Sequence, residues 1–192
     1  MSILGTKRDL RKFLRLARQD YVSKHLSTLF IPENIYQPAL SHRLMKGQVV
    51  AGYVAIGSEV SISNILDHVA KSGCQIVLPV IADRFSQIEF CRWQSGDDLE
   101  TAAFGFQQPK RGESAVSPDI ILTPLVGFDR ALNRLGQGAG HYDRAFAKWP
   151  AALRIGIAWS VQEVDAIPVD PWDLPLDAVL TEREWITHQK DD

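Results

Sequence analysis

No stretch of this chain is apolar for long enough to cross a bilayer as a helix. The longest uncharged, mostly apolar run is Val49 to Gly57, half or less of the roughly 20 residues that a span requires. A secretory leader is not expected either, because seven charged side chains (Lys7, Arg8, Asp9, Arg11, Lys12, Arg15 and Arg18) crowd the first 18 residues. The expected location is cytoplasmic. Cysteine is scarce, and Cys74 and Cys91 form neither a CxxC pair nor a metal-ligating cluster, which excludes a disulfide framework and fits a reducing compartment. An excess of either charge is also lacking: 21 Lys plus Arg face 23 Asp plus Glu. No global field therefore draws the protein to nucleic acid or to an anionic membrane, and any charged site is local. What remains is a chain of 192 residues, 45% hydrophobic, which is enough material for one domain over residues 1–192 with a single core.

Leu10, Phe13, Leu14, Ala17, Tyr21 and Val22 follow helical spacing behind Thr6, a possible N-cap, and predict an amphipathic helix over Lys7 to His25. Its other face is basic, with seven Lys or Arg against two Asp between Met1 and His25; a solvated face is the ordinary reading of such a pattern. A connection punctuated by Pro32 and Pro38 follows. Strand patterns then recur at Val49 to Ala55, Cys74 to Val80, Gln87 to Trp93, Ile120 to Thr123, Leu153 to Trp159 and Ala178 to Thr181. Helical patterns intervene at Ser63 to Lys71, closed by Gly73, and at Tyr142 to Lys148, ended by Pro150. The stretches near Gln94 to Glu100 and Gln107 to Pro118 read as hydrophilic loops. Alternating strand and helix predicts an α/β, Rossmann-like three-layer fold: a largely parallel sheet flanked by helices, with ligands beyond the carboxyl ends of the strands.

The most informative segment runs from Pro124 to Arg144, where Gly136, Gly138 and Gly140 alternate between a buried strand and a helix. Glycine admits positive φ and leaves room at the backbone, so successive N–H groups can converge on an anion, aided by the N-terminus of the following helix. Glycines alone are more often a tight turn. Counting GxGxxG from Gly136 puts His141 at the last glycine, and no Lys-Ser/Thr pair follows, which disfavours both a dinucleotide fingerprint and a Walker A loop. Arg134, two residues before the first glycine, and Asp143, three after the last, strengthen the phosphate reading. A guanidinium binds phosphoryl oxygens bidentately, and a neighbouring carboxylate holds the Mg²⁺ that accompanies ATP. Taken singly, a surface ion pair for Arg134 and a helix-dipole contact for Asp143 are equally ordinary.

The run Gly127-Phe-Asp129, Arg134-Leu-Gly136, Gly138, Gly140, Tyr142-Asp143, followed by Arg154, Gln162, Pro168, Asp173, Pro175-Leu-Asp177 and Thr181-Glu182, resembles the 5-formyltetrahydrofolate cyclo-ligase (methenyltetrahydrofolate synthetase) family. Lys7-x-x-x-Arg11 is similar to that family's opening motif. The resemblance implies ATP and Mg²⁺, with a reduced folate carrying an N5-formyl group as the other substrate. It further implies that Lys7, Arg11, Arg134 and the stretch Gly136, Gln137, Gly138, Ala139, Gly140, His141, Tyr142 and Asp143 surround the ATP phosphates. Arg134 and Tyr142 would be catalytic, Asp143 and Asp173 would position the metal, and Glu59, Phe104 and Tyr142 would contact the folate. The chain departs from the family pattern at Leu132, where glycine is usual, at Ala139, at His141, and at Trp172, which replaces a frequent histidine. The implied activity is conversion of 5-formyltetrahydrofolate to the 5,10-methenyl form, by a monomer or weak homodimer. A paralogue that binds folate or nucleotide without turnover, and a sugar-phosphate isomerase on a similar fold, are the alternatives; ADP release dependent on 5-formyltetrahydrofolate separates the enzyme from both.

Overall fold

The computed structural model describes residues 6–25, 30–83, 86–102, 105–110 and 116–188. Seven strands form the main sheet. They are β1 (Val49–Ala51), β2 (Gln75–Val80), β3 (Glu89–Arg92), β6 (Ile120–Pro124), β9 (Leu153–Ile157), β10 (Ala178–Leu180) and β11 (Trp185–Thr187). Their order across the sheet is β11-β10-β9-β6-β1-β2-β3. The five central strands are parallel, and the two edge strands, β3 and β11, run antiparallel. Along the chain the parallel strands therefore start at β1, step outward to β2, then return past β1 to β6, β9 and β10. That reversal makes the boundary between β1 and β6 a topological switch point, where a crevice opens at the carboxyl ends of the strands.

Successive strand residues face opposite sides of the sheet and feed two cores. Val50, Ile76, Leu78, Ile120, Leu122, Ile155 and Ile157 pack on one face with Tyr36 and Leu40 of α2 (Glu33–Ser41) and with Ile65, Leu66 and Val69 of α3 (Ser63–Lys71). Val49, Ala51, Val77, Ile121 and Val179 pack on the other face with Ala145, Phe146 and Trp149 near α4 (His141–Lys148). The three layers anticipated from the alternation are present. Gly73, at φ +78°, closes α3 as expected, since its left-handed backbone lets the Gly73 and Cys74 amides reach back to Ala70 and Val69.

Several expectations need correction. The connection holding Pro32 and Pro38 contains α2: Pro32 precedes its first turn, and Pro38 is tolerated inside because burial of Tyr36 and Leu40 anchors this short helix. Parts of the two stretches read as hydrophilic loops pair with each other as β4 (Leu99–Thr101) and β5 (Gln107–Pro109). Polar residues on a two-stranded ribbon carry no apolar alternation for the sequence to display. A second ribbon joins β7 (Gly127–Phe128) to β8 (Arg134–Leu135). Helix α1 (Lys7–Lys24) forms with Thr6 accepting the Asp9 amide at 3.2 Å, and the apolar face expected for it is the one it buries, except at Phe13. Phe13 is 53% exposed, whereas Leu10, Leu14 and Arg18 are buried. A Cβ on Gly127 would lie 2.4 Å from Leu14 Cδ1, so α1 sits directly against β7. That seat turns its 7/11/14/18 stripe inward and Phe13 outward.

Candidate active site

The cavity at the switch point has a volume of about 570 Å³. Tyr53, Val54, Ile56 and Glu59, which follow β1, line it together with Pro79 and Ile81 at the end of β2, Pro124 of β6, and the whole glycine segment from Arg134 to Asp143. Lys7 and Arg11 close it from α1, and Asp170, Trp172 and Asp173 from the connection between β9 and β10. Lys7 and Asp173, 166 residues apart, thus share one wall.

The glycine loop is held from outside by arginines. Arg11 Nε donates to the Gly136 carbonyl at 2.8 Å, Arg15 Nη2 to the Gln137 carbonyl at 3.2 Å, and Arg144 Nη1 to the Ala139 carbonyl at 3.0 Å. Drawing carbonyl oxygens toward guanidinium groups fixes the peptide planes of the loop, so its amides are set before a ligand arrives. Gly138 and Gly140 have φ of +107° and +67°, and Gly140 leads directly into α4. A side chain on either would strain the backbone. Gly136 matters for space instead: a Cβ there would fall 2.6 Å from Arg134 Nη1.

The Arg134 side chain is 4% exposed and pairs with Asp143 through Nη2 to Oδ1 at 2.6 Å. Its Cζ lies 5.8 Å from the Tyr142 ring centroid and 5.5 Å from that of Phe146. Its Nε is buried with no hydrogen-bond partner, as is Nε of Arg144. Two guanidinium groups beside the loop therefore hold buried N–H donors that cost stability.

Lys7 bonds both Asp170 and Asp173, and Asp173 also accepts the Asp170 amide at 2.8 Å. Burial opposes each charge. The mutual hydrogen bonds outweigh it, raising the Lys7 ammonium above its ordinary value and holding the Asp173 carboxyl below its own. Burial and the nearby Glu59 push the Tyr142 phenol up, so it is neutral at physiological pH. Burial and Arg144 pull His141 down. Its Nδ1 faces the Ser86 carbonyl at 3.2 Å and Arg144 at 2.9 Å, which tethers the start of α4 to the segment after β2.

Of the residues singled out from the sequence, Lys7, Arg11, Glu59, Arg134, Tyr142, Asp143 and Asp173 all line this cavity, with the loop from Gly136 to His141. Glu59 accepts Gln137 Nε2 at 3.0 Å and the Ile56 amide at 3.0 Å. Phe104 lies outside the described residues; Phe106, two positions on, is at the wall. Arg15, Arg18 and Arg144 were not assigned from the sequence. For the first two the signal was available, because Lys7, Arg11, Arg15 and Arg18 repeat at helical spacing; Lys7 and Arg11 line the cavity, and Arg15 bonds Gln137 of the loop. Arg18 donates to Ser58 Oγ at 3.0 Å and to the Leu125 carbonyl at 3.2 Å. The remaining motif residues are stitches. Asp129, 2% exposed, accepts the Asn133 and Ile167 amides, Gln162 bonds the Leu125 and Val126 carbonyls, and Glu182 holds Ser160 and Tyr21.

The 5-formyltetrahydrofolate cyclo-ligase family model matches residues 4–182. A 5-formyltetrahydrofolate cyclo-ligase of Haemophilus influenzae is 31% identical over 138 residues, covering 68% of this chain and 74% of the relative. One of Mycolicibacterium smegmatis is 31% identical over 156 residues, covering 77% and 80%. The NMR structure of Aquifex aeolicus 5,10-methenyltetrahydrofolate synthetase superposes with a TM-score of 0.70 at 28% identity, covering 97% of this chain and 94% of that one. Matched along nearly its whole length in sequence and in fold, the chain belongs to the 5-formyltetrahydrofolate cyclo-ligase family.

Proposed function

We propose that this protein converts 5-formyltetrahydrofolate to 5,10-methenyltetrahydrofolate with ATP and Mg²⁺, releasing ADP and phosphate. The observation that carries this reading is the glycine loop with three carbonyls held by Arg11, Arg15 and Arg144, beside the Arg134–Asp143 pair that lines the same cavity. Such a cradle binds a phosphoryl group without reorganising.

The formyl group on N5 is a poor electrophile, because nitrogen donates into its carbonyl, and its oxygen is a poor leaving group. Attack of that oxygen on the γ-phosphorus of ATP expels ADP and turns the oxygen into a phosphate ester. N10 then adds to the formyl carbon, loses its proton to solvent, and expels phosphate, which closes the five-membered ring. Arg134 and the loop amides would hold the transferring phosphoryl group, while Lys7 and Arg11 would bind the rest of the triphosphate. Glu59 and the aromatic side chains near β1 and β2 would receive the pterin. Tyr142 stays protonated and serves by contact and orientation, not as a base.

The residues fit Mg²⁺, which takes one or two carboxylates and completes its shell with substrate phosphates and water. Asp143 and Asp173 supply two carboxylates to the cavity, and no cluster of three metal-ligating side chains occurs among the described residues. Each carboxylate is held by a cation, and phosphate oxygens arriving at Lys7 and Arg134 would leave both free for the ion. When bound, Mg²⁺ neutralises charge on the β- and γ-phosphates. The departures from the family pattern do not oppose turnover: Leu132 has φ +63°, the conformation a glycine would take there, and the Ala139 carbonyl is held by Arg144. The test is a coupled assay that follows ADP release and the near-ultraviolet absorbance of the methenyl product, with ATP and folate omitted in turn. Absence of product with both present defeats the proposal, and binding without product would establish the non-catalytic paralogue.

A further inference from the structure

The chain has five tryptophans, and four of them are buried or half-buried. The fifth, Trp172, is 69% exposed and still lines the cavity, beside Asp170 and Asp173. An exposed indole on the wall of a cavity offers a ligand a flat apolar face.

The sheet order gives the cavity a direction. At one end stand Tyr53, Ile56, Pro79 and Ile81, which follow β1 and β2. At the other, beyond β6, stands the connection from β9 to β10 that carries Trp172. The phosphate-binding groups lie between: the glycine loop reaches Glu59 through Gln137 on one side, and Lys7 reaches Asp170 and Asp173 on the other. A γ-phosphoryl group that must meet a folate at the β1–β2 end leaves the nucleoside pointing away from it, toward residues 170–173.

We infer that the Trp172 indole is the platform on which the nucleobase of the cosubstrate stacks. This inference rests on the ATP-dependent reading of the site. Stacking reads ring area, not hydrogen-bonding pattern, so purine triphosphates bind better than pyrimidine triphosphates, and inorganic tripolyphosphate gains nothing from the indole.

Because Trp172 is the one exposed indole of the five, acrylamide quenching of tryptophan fluorescence reports on it selectively. In the presence of Mg²⁺, ATP and ADP are expected to shield it while tripolyphosphate does not, and the shielded component is absent from Trp172→Phe. In Trp172→Ala the KM for ATP rises about tenfold or more, as loss of one base–aromatic stack implies; Trp172→Phe restores most of it, and the KM for 5-formyltetrahydrofolate is unchanged. An active enzyme in which ATP leaves the quenching untouched, or in which Trp172→Ala keeps the wild-type KM for ATP, overturns the platform and leaves the reaction standing. Shielding by ATP in a protein that forms no methenyl product defeats the reaction and leaves the platform standing.

Discussion

Leu132 holds a left-handed backbone, φ +63°, that costs a leucine about 1–2 kcal/mol relative to glycine. The conformation persists because its environment fixes it from several sides. Its amide bonds the Asp129 carbonyl at 3.0 Å, its carbonyl accepts the Leu176 amide at 2.9 Å, and its side chain is fully buried with Leu125, Phe128 and Leu176. Leu132→Gly relieves the strain but deletes a buried side chain worth about 2–5 kcal/mol. The variant is therefore expected to be less stable by about 1–3 kcal/mol in urea denaturation, and equal or greater stability would show that the leucine is not packed as described. Arg134 is a different kind of residue, a buried guanidinium paired with Asp143 at the cavity wall. Arg134→Ala is expected to lower kcat on the order of 10²-fold, as removal of one preorganised donor does elsewhere, with the circular dichroism spectrum unchanged. Wild-type turnover in that variant would remove Arg134 from the phosphoryl site.

Helix α1 and the glycine loop work as one element. In the basic stripe of α1, Lys7 and Arg11 line the cavity, Arg15 bonds Gln137 and Arg18 is buried, and the close approach of Leu14 to Gly127 sets the depth of the helix. Arg15 and Arg144 hold loop carbonyls from opposite flanks, and Arg144 also reaches the Ser86 carbonyl at 3.3 Å. Replacing either with alanine frees a peptide plane of the loop. The expected result for both variants is a rise of about tenfold in the KM for ATP, the size of one charge-assisted hydrogen bond, with the KM for the folate unchanged. Arg144→Ala carries a second readout, because Arg144 is the second cause, after burial, that depresses His141. In that variant the His141 titration followed by NMR moves up toward, but not to, the ordinary histidine value; a static His141 would place Arg144 outside its field. The basic stripe was legible in the sequence as charge at helical spacing. Its direction was not, since Phe13 competed for the same face and only the seat against β7 decides which face turns inward.

At the scale of the molecule, the sheet decides which distant segments meet, and its connections hold them there. Arg154 of β9 donates to Asp177 from its amide at 2.7 Å and from Nε and Nη2 at 3.0 Å each, which ties the start of β10 to β9 and frames the loop bearing Trp172 and Asp173. Burial pushes the Asp177 carboxyl up, but these hydrogen bonds pull it below its ordinary value. A carboxyl depressed in the folded state stabilises above the unfolded pKa, about 3.9, and loses that contribution as pH falls through the folded value. Asp177→Ala is thus expected to cost about 1–2 kcal/mol at pH 7, after allowance for the solvent that reaches this pair. The difference from wild type shrinks below about pH 4, and a gap that stays constant in urea denaturation down to pH 3 would contradict this account. Tyr53, Phe106, Asp170 and Trp172 join the site by this route, from segments carrying no pattern that links them to the glycine loop. Local periodicity and groups a few residues apart were enough to set the alternation of strand and helix and the glycine loop with its flanking Arg134 and Asp143. Strand order, the antiparallel edges, the inward turn of α1 and the meeting of Lys7 with Asp173 were decided only by tertiary structure, since they follow from how buried faces pair across the whole chain, and no local spacing encodes that pairing.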